Sequence, residues 1–372
     1  MPPRWLRRIL IAPLILVICV AVLVSMPLIL VAAAAASLWV PGRWRPLRLL
    51  LVGIVYLALE TIALIALFLL WLFSGFGLWL DRPWFVEAHY RLLKWVLRLL
   101  IGTARRAFNL RSESEIETIP GSGEAPRLVL CRHAGPGDSF LLIHGLLVDE
   151  DRRPRIVLKE TLQWEPMIDV VLNRLPSQFV SPGGNSRQRT IDSIGELAAG
   201  LGQRDALVIF PEGGNYTDRR RLRSISKLEE RGERDLAERA RAMRNVIAPR
   251  PGGTVAAIDS APDETVVAFV AHTGLEDLST AVDLWRGLPM DAAVCTSSWE
   301  IPISEIPADY DERVDWLFGQ FARIDRWIEA RRTTGHSQPG AGPVQRSSSV
   351  AGLGPAGGDS AQRPTSGDQL VE

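Results

Sequence analysis

Cysteine is scarce in this 372-residue chain, with only Cys19, Cys131 and Cys295. An odd number at scattered spacings supports neither a disulfide framework nor a zinc site. A reducing compartment for the water-facing part is the simplest reading. Net charge is absent too: 42 basic residues balance 42 acidic ones, so there is no electrostatic case for nucleic acid as a partner. No internal repeat is visible. The most telling shortage is local, because Glu60 is the one acidic residue in the first 80.

That acid-poor region is also strongly apolar. From Ile9 to Val40, and again from Leu49 to about Leu80, nearly every residue is hydrophobic. Each run exceeds the ~20 residues a helix needs to cross hydrocarbon, and Pro13 and Pro27 kink or delimit the first. Arg4, Arg7 and Arg8 ahead of an apolar run also suit a cleaved signal peptide. The run far outlasts the ~7–15 residues of such a core, however, and a second one follows. A hairpin crossing the bilayer twice would carry Arg43, Arg45 and Arg48 outside, against the positive-inside tendency. A hairpin dipping into one leaflet keeps every basic residue on the cytoplasmic side. Both arrangements place the rest of the chain in the cytoplasm, on the cytoplasmic membrane. Glu60 is either functional, as intramembrane acids often are, or paired with an arginine or turned toward a partner helix. Between Pro83 and Leu110 apolar residues alternate with His89, Arg91, Lys94, Arg98, Arg105 and Arg106. This pattern suits an amphipathic helix lying on the membrane or packed on the domain that follows.

From Pro126 onward short β-prone runs alternate with helical ones. Strands are expected at Arg127–Cys131, Arg155–Lys159, Gln178–Ser181, Ala206–Phe210, Thr254–Asp259, Val266–His272 and Ala292–Ser297. Helices are expected at Ser139–Val148, Pro166–Arg174, Arg187–Leu201, Lys227–Asn245 and Asp311–Arg331. Continuous apolar strands between amphipathic helices indicate an α/β fold, a mixed sheet flanked by helices, preceded by an N-terminal membrane helical hairpin. The expected organisation is a membrane region with two hydrophobic helices over 1–80, an interfacial helix and linker over 81–125, an α/β domain over 126–332, and a disordered tail over 333–372, where Gly, Pro, Ser and Gln dominate.

Three of the five histidines are followed five residues later by aspartate: His133–Asp138, His144–Asp149 and His272–Asp277. A carboxylate holding one ring nitrogen of a histidine orients it as a general base, so geometry must choose among the three. His144 sits in a helical run, where five residues turn through about 500° and leave the two side chains about 140° apart. It reads as a packing residue. His133 follows a strand, and its spacer Ala134-Gly135-Pro136-Gly137 forms a tight turn that can fold Asp138 back onto the ring. Asp138 or Ser139 would then cap the next helix and bring its amides near the site. His272 also ends a strand and is the rival, but Asp277 falls at what reads as a solvated helix start. A second motif, Phe210-Pro211-Glu212-Gly213-Gly214, ends a buried strand. Its glycines allow close approach of a ligand to the backbone, and Glu212 is placed to bind substrate hydroxyls or anchor a basic group.

Together these residues resemble the glycerophospholipid acyltransferase family, in particular the lysophosphatidic acid acyltransferase group. Its His-x4-Asp motif is matched by His133 and Asp138, and its Phe-Pro-Glu-Gly motif by Phe210 to Gly213. Lys159-Glu160 with Pro166 is similar to its intermediate block, and Pro249, Arg250 and Gly252 to a later Pro-Arg block. The resemblance spans roughly Arg127 to Arg331. There are departures: Arg132 stands where Asn is usual, Gly135 replaces Ser or Thr, and Gly214-Asn215 replaces a Thr-Arg whose arginine is associated with the acceptor's phosphate. Arg187, Arg189, Arg219 to Arg221 or Arg223 are the candidates to replace it.

The resemblance implies direct transfer of a fatty acyl group to a lysophospholipid hydroxyl, most simply 1-acylglycerol-3-phosphate giving phosphatidic acid. The donor would be acyl-CoA as co-substrate, or an acyl carrier protein thioester. It implies His133 and Asp138 as the catalytic pair, and Phe210, Pro211, Glu212, Gly213, Gly214, Lys159, Pro249 and Arg250 as substrate-binding residues. No cofactor, metal or covalent enzyme intermediate is required. The bilayer, the lysolipid and the acyl donor are then the partners, with no nucleic acid. Other readings are a different lysolipid or glycolipid acceptor, a thioesterase or lipase, and a non-catalytic lipid-binding membrane protein. A serine hydrolase would want a Gly-x-Ser-x-Gly elbow, which the sequence does not contain.

Overall fold

The computed structural model describes residues 1–40, 44–180, 186–276, 281–290 and 293–335. Arg43, Asp277, the side chain of Arg187 and the expected tail beyond residue 335 lie outside the described residues. The strands are β1 Arg111–Glu117, β2 Arg127–Cys131, β3 Arg153–Lys159, β4 Ser177–Val180, β5 Asp205–Ile209, β6 Val266–Thr273 and β7 Ala293–Pro302. They form one sheet in the order β1-β7-β6-β2-β5-β3-β4. All neighbours run parallel except β6 and β7.

Every residue of β2 and β5 is buried, as expected for parallel strands covered on both faces. Leu128, Leu130, Leu207 and Ile209 point into one core, with Phe269, Phe318 and Phe321. Val129 and Val208 point into the other, with Val171, Tyr90, Leu93 and Leu97. Tyr90, Leu93 and Leu97 belong to the helix Pro83–Phe108, so of the two placements open to it, this helix packs on the sheet. Its neighbour β1, expected within a linker, is the edge strand beside β7. All seven of its residues are exposed. A strand of alternating Ser and Glu has no apolar face to betray it, and its charge suits an unpaired edge. The helix Pro83–Phe108 and β1 thus pack with strands that follow residue 126.

Two other expectations are corrected. Thr254–Asp259 is not a strand but part of a helix, Pro251–Ser260. Proline opens it, and Gly252 and Gly253 let it lie against Ile191 and Ile194, whose methyls would be 2.9 Å from any added Cβ. The single helix expected over Lys227–Asn245 is two, Asp218–Glu230 and Arg234–Ala242, divided at Gly232 with φ 78°.

At the N-terminus, two helices are long and apolar enough to cross a membrane, Arg4–Val24 and Arg45–Phe73. The shorter Met26–Trp39 lies between them, because Ser25 and Pro27 break the first apolar run. Arg7 is buried and reaches Asp169 at 2.7 Å, with Arg8 at 3.8 Å from the same carboxylate. At the other end, Arg45 donates to the Leu288 carbonyl and Arg48 to that of Ala107. Glu60 is buried and accepts the Met167 amide at 3.2 Å, so it faces the helix Pro166–Leu172.

Candidate active site

β2 is the pivot of the topology. β5, β3 and β4 lie on one side of it, and β6, β7 and β1 on the other. Clefts beyond the carboxyl ends of parallel strands, where the chain changes direction, are where α/β folds place their sites. Three adjacent strands end here: β2 delivers His133, β5 delivers Phe210 to Gly214, and β6 ends at His272 and Thr273.

The His133–Asp138 pair forms as expected. Nδ1 of His133 lies 3.1 and 3.0 Å from the two Asp138 oxygens. The helix begins earlier than expected, at Pro136, so Asp138 sits in its first turn rather than at its cap. From there its carboxylate reaches back to accept the Ala134 and Gly135 amides at 2.7 and 3.0 Å, and the Ser139 hydroxyl at 3.1 Å. Burial raises the Asp138 carboxyl, but hydrogen bonds from His133 and His272 outweigh it and hold the group well below the usual carboxylate range. The acid is thus ionised and fully engaged, the state needed to orient an imidazole. The His133 ring rests on Phe210, with centroids 4.4 Å apart.

The two strand-end histidines differ in accessibility. His133 keeps 15% of its side-chain surface exposed, whereas His272 keeps 6%. His272 is nevertheless involved, because its Nε2 lies 3.5 Å from Asp138 and 3.1 Å from the Arg132 carbonyl. The third pair requires a correction. His144 and Asp149 do meet, at 3.4 Å, because residues Gly145–Asp149 form a π-turn. Bonding from residue i+5 to residue i, as Glu150 does to Gly145, stacks side chains five apart. His144 is still buried in packing.

The second motif wraps around the first. The Tyr216 amide donates to the His133 carbonyl at 2.6 Å. Glu212, expected as a substrate contact, is 1% exposed and lies beneath the site. Its carboxylate accepts the His133 amide at 3.4 Å and the Ile247 amide. Burial pushes this group up to about 8, with Arg132 and those amides partly opposing the rise. Arg250 joins the motif, its amide donating to the Pro211 carbonyl at 2.8 Å. Its guanidinium covers Gly213, where an added Cβ would come within 2.7 Å. Gly213 also has φ +71°, a conformation that glycine adopts freely.

On the neighbouring residue, Arg220 lies over Gly214, 3.1 Å from a built Cβ, and donates to the Asn215 carbonyl at 2.9 Å. Arg221 is spent on the Met243 and Arg241 carbonyls. Arg189, Arg219 and Arg223 are exposed. Pro249 is buried, and Lys159 is exposed at the end of β3, separated from β2 by β5. Among the described residues no group of three His, Cys, Asp or Glu is placed to hold a metal ion.

A family model and a solved structure are similar to this chain. The family model described as Acyltransferase matches residues 109–251, a span that holds both motifs, Lys159, Pro249 and Arg250. Among solved structures the chain is similar to the 1-acyl-sn-glycerophosphate (LPA) acyltransferase PlsC from Thermotoga maritima. Identity is 14% and the TM-score 0.37, over 73% of this chain and 98% of that one. No functionally curated protein matches. Residues 109–251 are thus similar to the Acyltransferase family, in agreement with the glycerophospholipid acyltransferases that the two motifs resemble.

Proposed function

We propose that this protein transfers a fatty acyl group from an acyl thioester, acyl-CoA in the simplest case, to the hydroxyl of a lysophospholipid, with His133 as general base. The observation that carries the proposal is the use of Nδ1 on Asp138, which turns Nε2 toward substrate. Nε2 takes the proton as the hydroxyl oxygen attacks the thioester carbonyl. As the tetrahedral intermediate collapses, the C–S bond breaks and the imidazolium returns that proton to the leaving thiolate. The oxyanion needs donors other than the Ala134 and Gly135 amides, because Asp138 already holds those. The helix beginning at Pro136 offers its remaining first-turn amides.

Arg250 and Arg220, folded over consecutive glycines, are the guanidiniums best placed for an acceptor phosphate. They support 1-acylglycerol-3-phosphate over a neutral acceptor. The basic residues at both ends of the apolar segment touch the folded domain. That favours a hairpin held in one leaflet, with the domain on the cytoplasmic face.

The test is labelled acyl-CoA with a panel of lysophosphatidic acid, lysophosphatidylcholine and monoacylglycerol, on protein in lipid nanodiscs. His133→Ala should lower kcat about 10²–10⁴-fold without loss of protein from the membrane. Arg220→Ala and Arg250→Ala should raise KM for lysophosphatidic acid but not for monoacylglycerol. Near-normal turnover by the His133 variant would refute the base assignment. Release of free fatty acid alone would indicate a hydrolase, and no turnover with any lipid a binding protein.

A further inference from the structure

The residue before His133 and the last residue but one of β6 hold one another. Arg132 donates from Nη1 to the His272 carbonyl at 2.8 Å, and the His272 ring lies with Nε2 3.1 Å from the Arg132 carbonyl. Each side chain therefore binds the other residue's main chain, across neighbouring strands β2 and β6. A carbonyl only accepts, so Nε2 of His272 carries the hydrogen. The same N–H faces Asp138 at 3.5 Å. The opposite nitrogen, Nδ1, is buried without a hydrogen-bond partner, so everything the ring does is done through Nε2.

Arg132 is itself pinned. It is 1% exposed, pairs with Glu276 at 2.6 Å, and donates from Nε to the Asn245 carbonyl at 3.1 Å. Glu276 is held in turn by the Gly274 amide at 2.6 Å. Gly274 has φ +100°, and an added Cβ would stand 2.6 Å from the Ala293 carbonyl oxygen. Burial raises the Glu276 carboxyl, but Arg132 more than offsets this and keeps it low. The Arg132 guanidinium also lies 5.8 Å from the Tyr216 ring centre, and the Tyr216 amide holds the His133 carbonyl.

We infer that Arg132 and His272 are positioning residues, a reciprocal bracket that fixes the strand end from which His133 projects and steadies the Asp138 carboxylate beside it. The inference rests on His133 acting as the base, and it extends the site to β6, beyond residues 109–251. His272 touches no reacting atom. It sets the angle and distance at which His133 meets the acceptor hydroxyl, so its loss should appear in kcat rather than in substrate affinity.

Two amides of similar size separate positioning from simple packing. In His272→Gln the amide nitrogen can reach the place of Nε2, whereas in His272→Asn it stops near that of Nδ1. The nanodisc assay should show His272→Asn losing roughly 10–100-fold in kcat, with KM for acyl-CoA and lysolipid within about twofold of wild type. His272→Gln should recover to within about threefold of wild type, and Arg132→Lys should resemble the Asn variant. Equal kcat values for the Gln and Asn variants, whether both high or both low, overturn the inference. His133→Ala in the same assay keeps the two readings apart. A fully active His133 variant removes the base, whereas an inactive one beside a fully active His272→Asn removes only the bracket.

Discussion

Glu212→Gln tests the reading of Glu212 as a buried structural acid. The carboxyl is 1% exposed, and burial raises it from an ordinary 4.5 to about 8. Above pH 4.5 the unfolded chain gives up this proton, while the folded protein keeps it until about pH 8. The folded state then binds more protons than the unfolded one, so stability falls as pH rises through that window. The slope attributable to this one group is about 1.4 kcal/mol per pH unit, which accumulates to about 3 kcal/mol by pH 7. Glutamine keeps an oxygen to accept the His133 and Ile247 amides but has no proton to lose. The variant should therefore match wild type near pH 5 and exceed it progressively toward pH 8, by on the order of 5 °C in Tm at pH 7. Thermal unfolding of detergent-solubilised protein, followed by tryptophan fluorescence from pH 5 to 8, measures the difference directly. Other titrating groups cancel in the comparison. Parallel curves for the two proteins would refute the reasoning, and a substrate-binding Glu212 would instead show as a raised KM in the variant.

Gly213→Ala should cost about 1–2 kcal/mol in denaturant unfolding and lower activity, because the positive φ is strained for alanine and the new methyl displaces Arg250. A wild-type midpoint and rate would contradict the close approach. His144→Ala should keep turnover within about threefold of wild type while losing about 1–3 kcal/mol of stability, since the ring is buried beside Asp149 and away from the strand ends. A kcat collapse without unfolding would reinstate it as a site residue. A fragment ending at residue 251 should fail to give a cooperative melt or protease resistance. It would strip β6 from the fully buried β2 and leave β1 without β7. A cooperatively folded fragment would show the two halves of the sheet to be independent.

The sequence reveals most where one signal dominates. β2 is legible because Leu128 to Cys131 read as one apolar run behind Arg127. The His133–Asp138 turn is legible because Gly and Pro leave the spacer little else to form. β1 is hidden because an exposed edge strand needs no apolar pattern. The helix Pro251–Ser260 is hidden because its buried Thr254, Val255 and Ile258 are β-branched residues whose intrinsic preference packing overrides. The His144–Asp149 contact depends on a π-turn, which shifts the helical phase and which spacing alone does not announce. Glu212 reads as a ligand group because a carboxylate beside two glycines suits one. Its inward orientation is fixed by the Ile247 amide, 35 residues later in the chain.

His272 shows why residues of the same type were hard to rank from the chain alone. It shares the strand-end position and the spacing to aspartate that distinguish His133, so it reads as a competitor for one role. In three dimensions the two rings lie on the same carboxylate, that of Asp138, and can fill different roles. Parallel pairing of β2 with β6 runs through Cys131 and Val270, so two residues further on His133 and His272 stand at the same level at the carboxyl end of the sheet. If Arg132 and His272 form the proposed bracket, Arg132 accounts for the difference in role. A short asparagine there could not span to β6, whereas arginine reaches the His272 carbonyl, Glu276 and the Asn245 carbonyl together. The departure at Arg132 and the second histidine are then one feature: a longer side chain just beyond β2 matched to a support that β6 supplies.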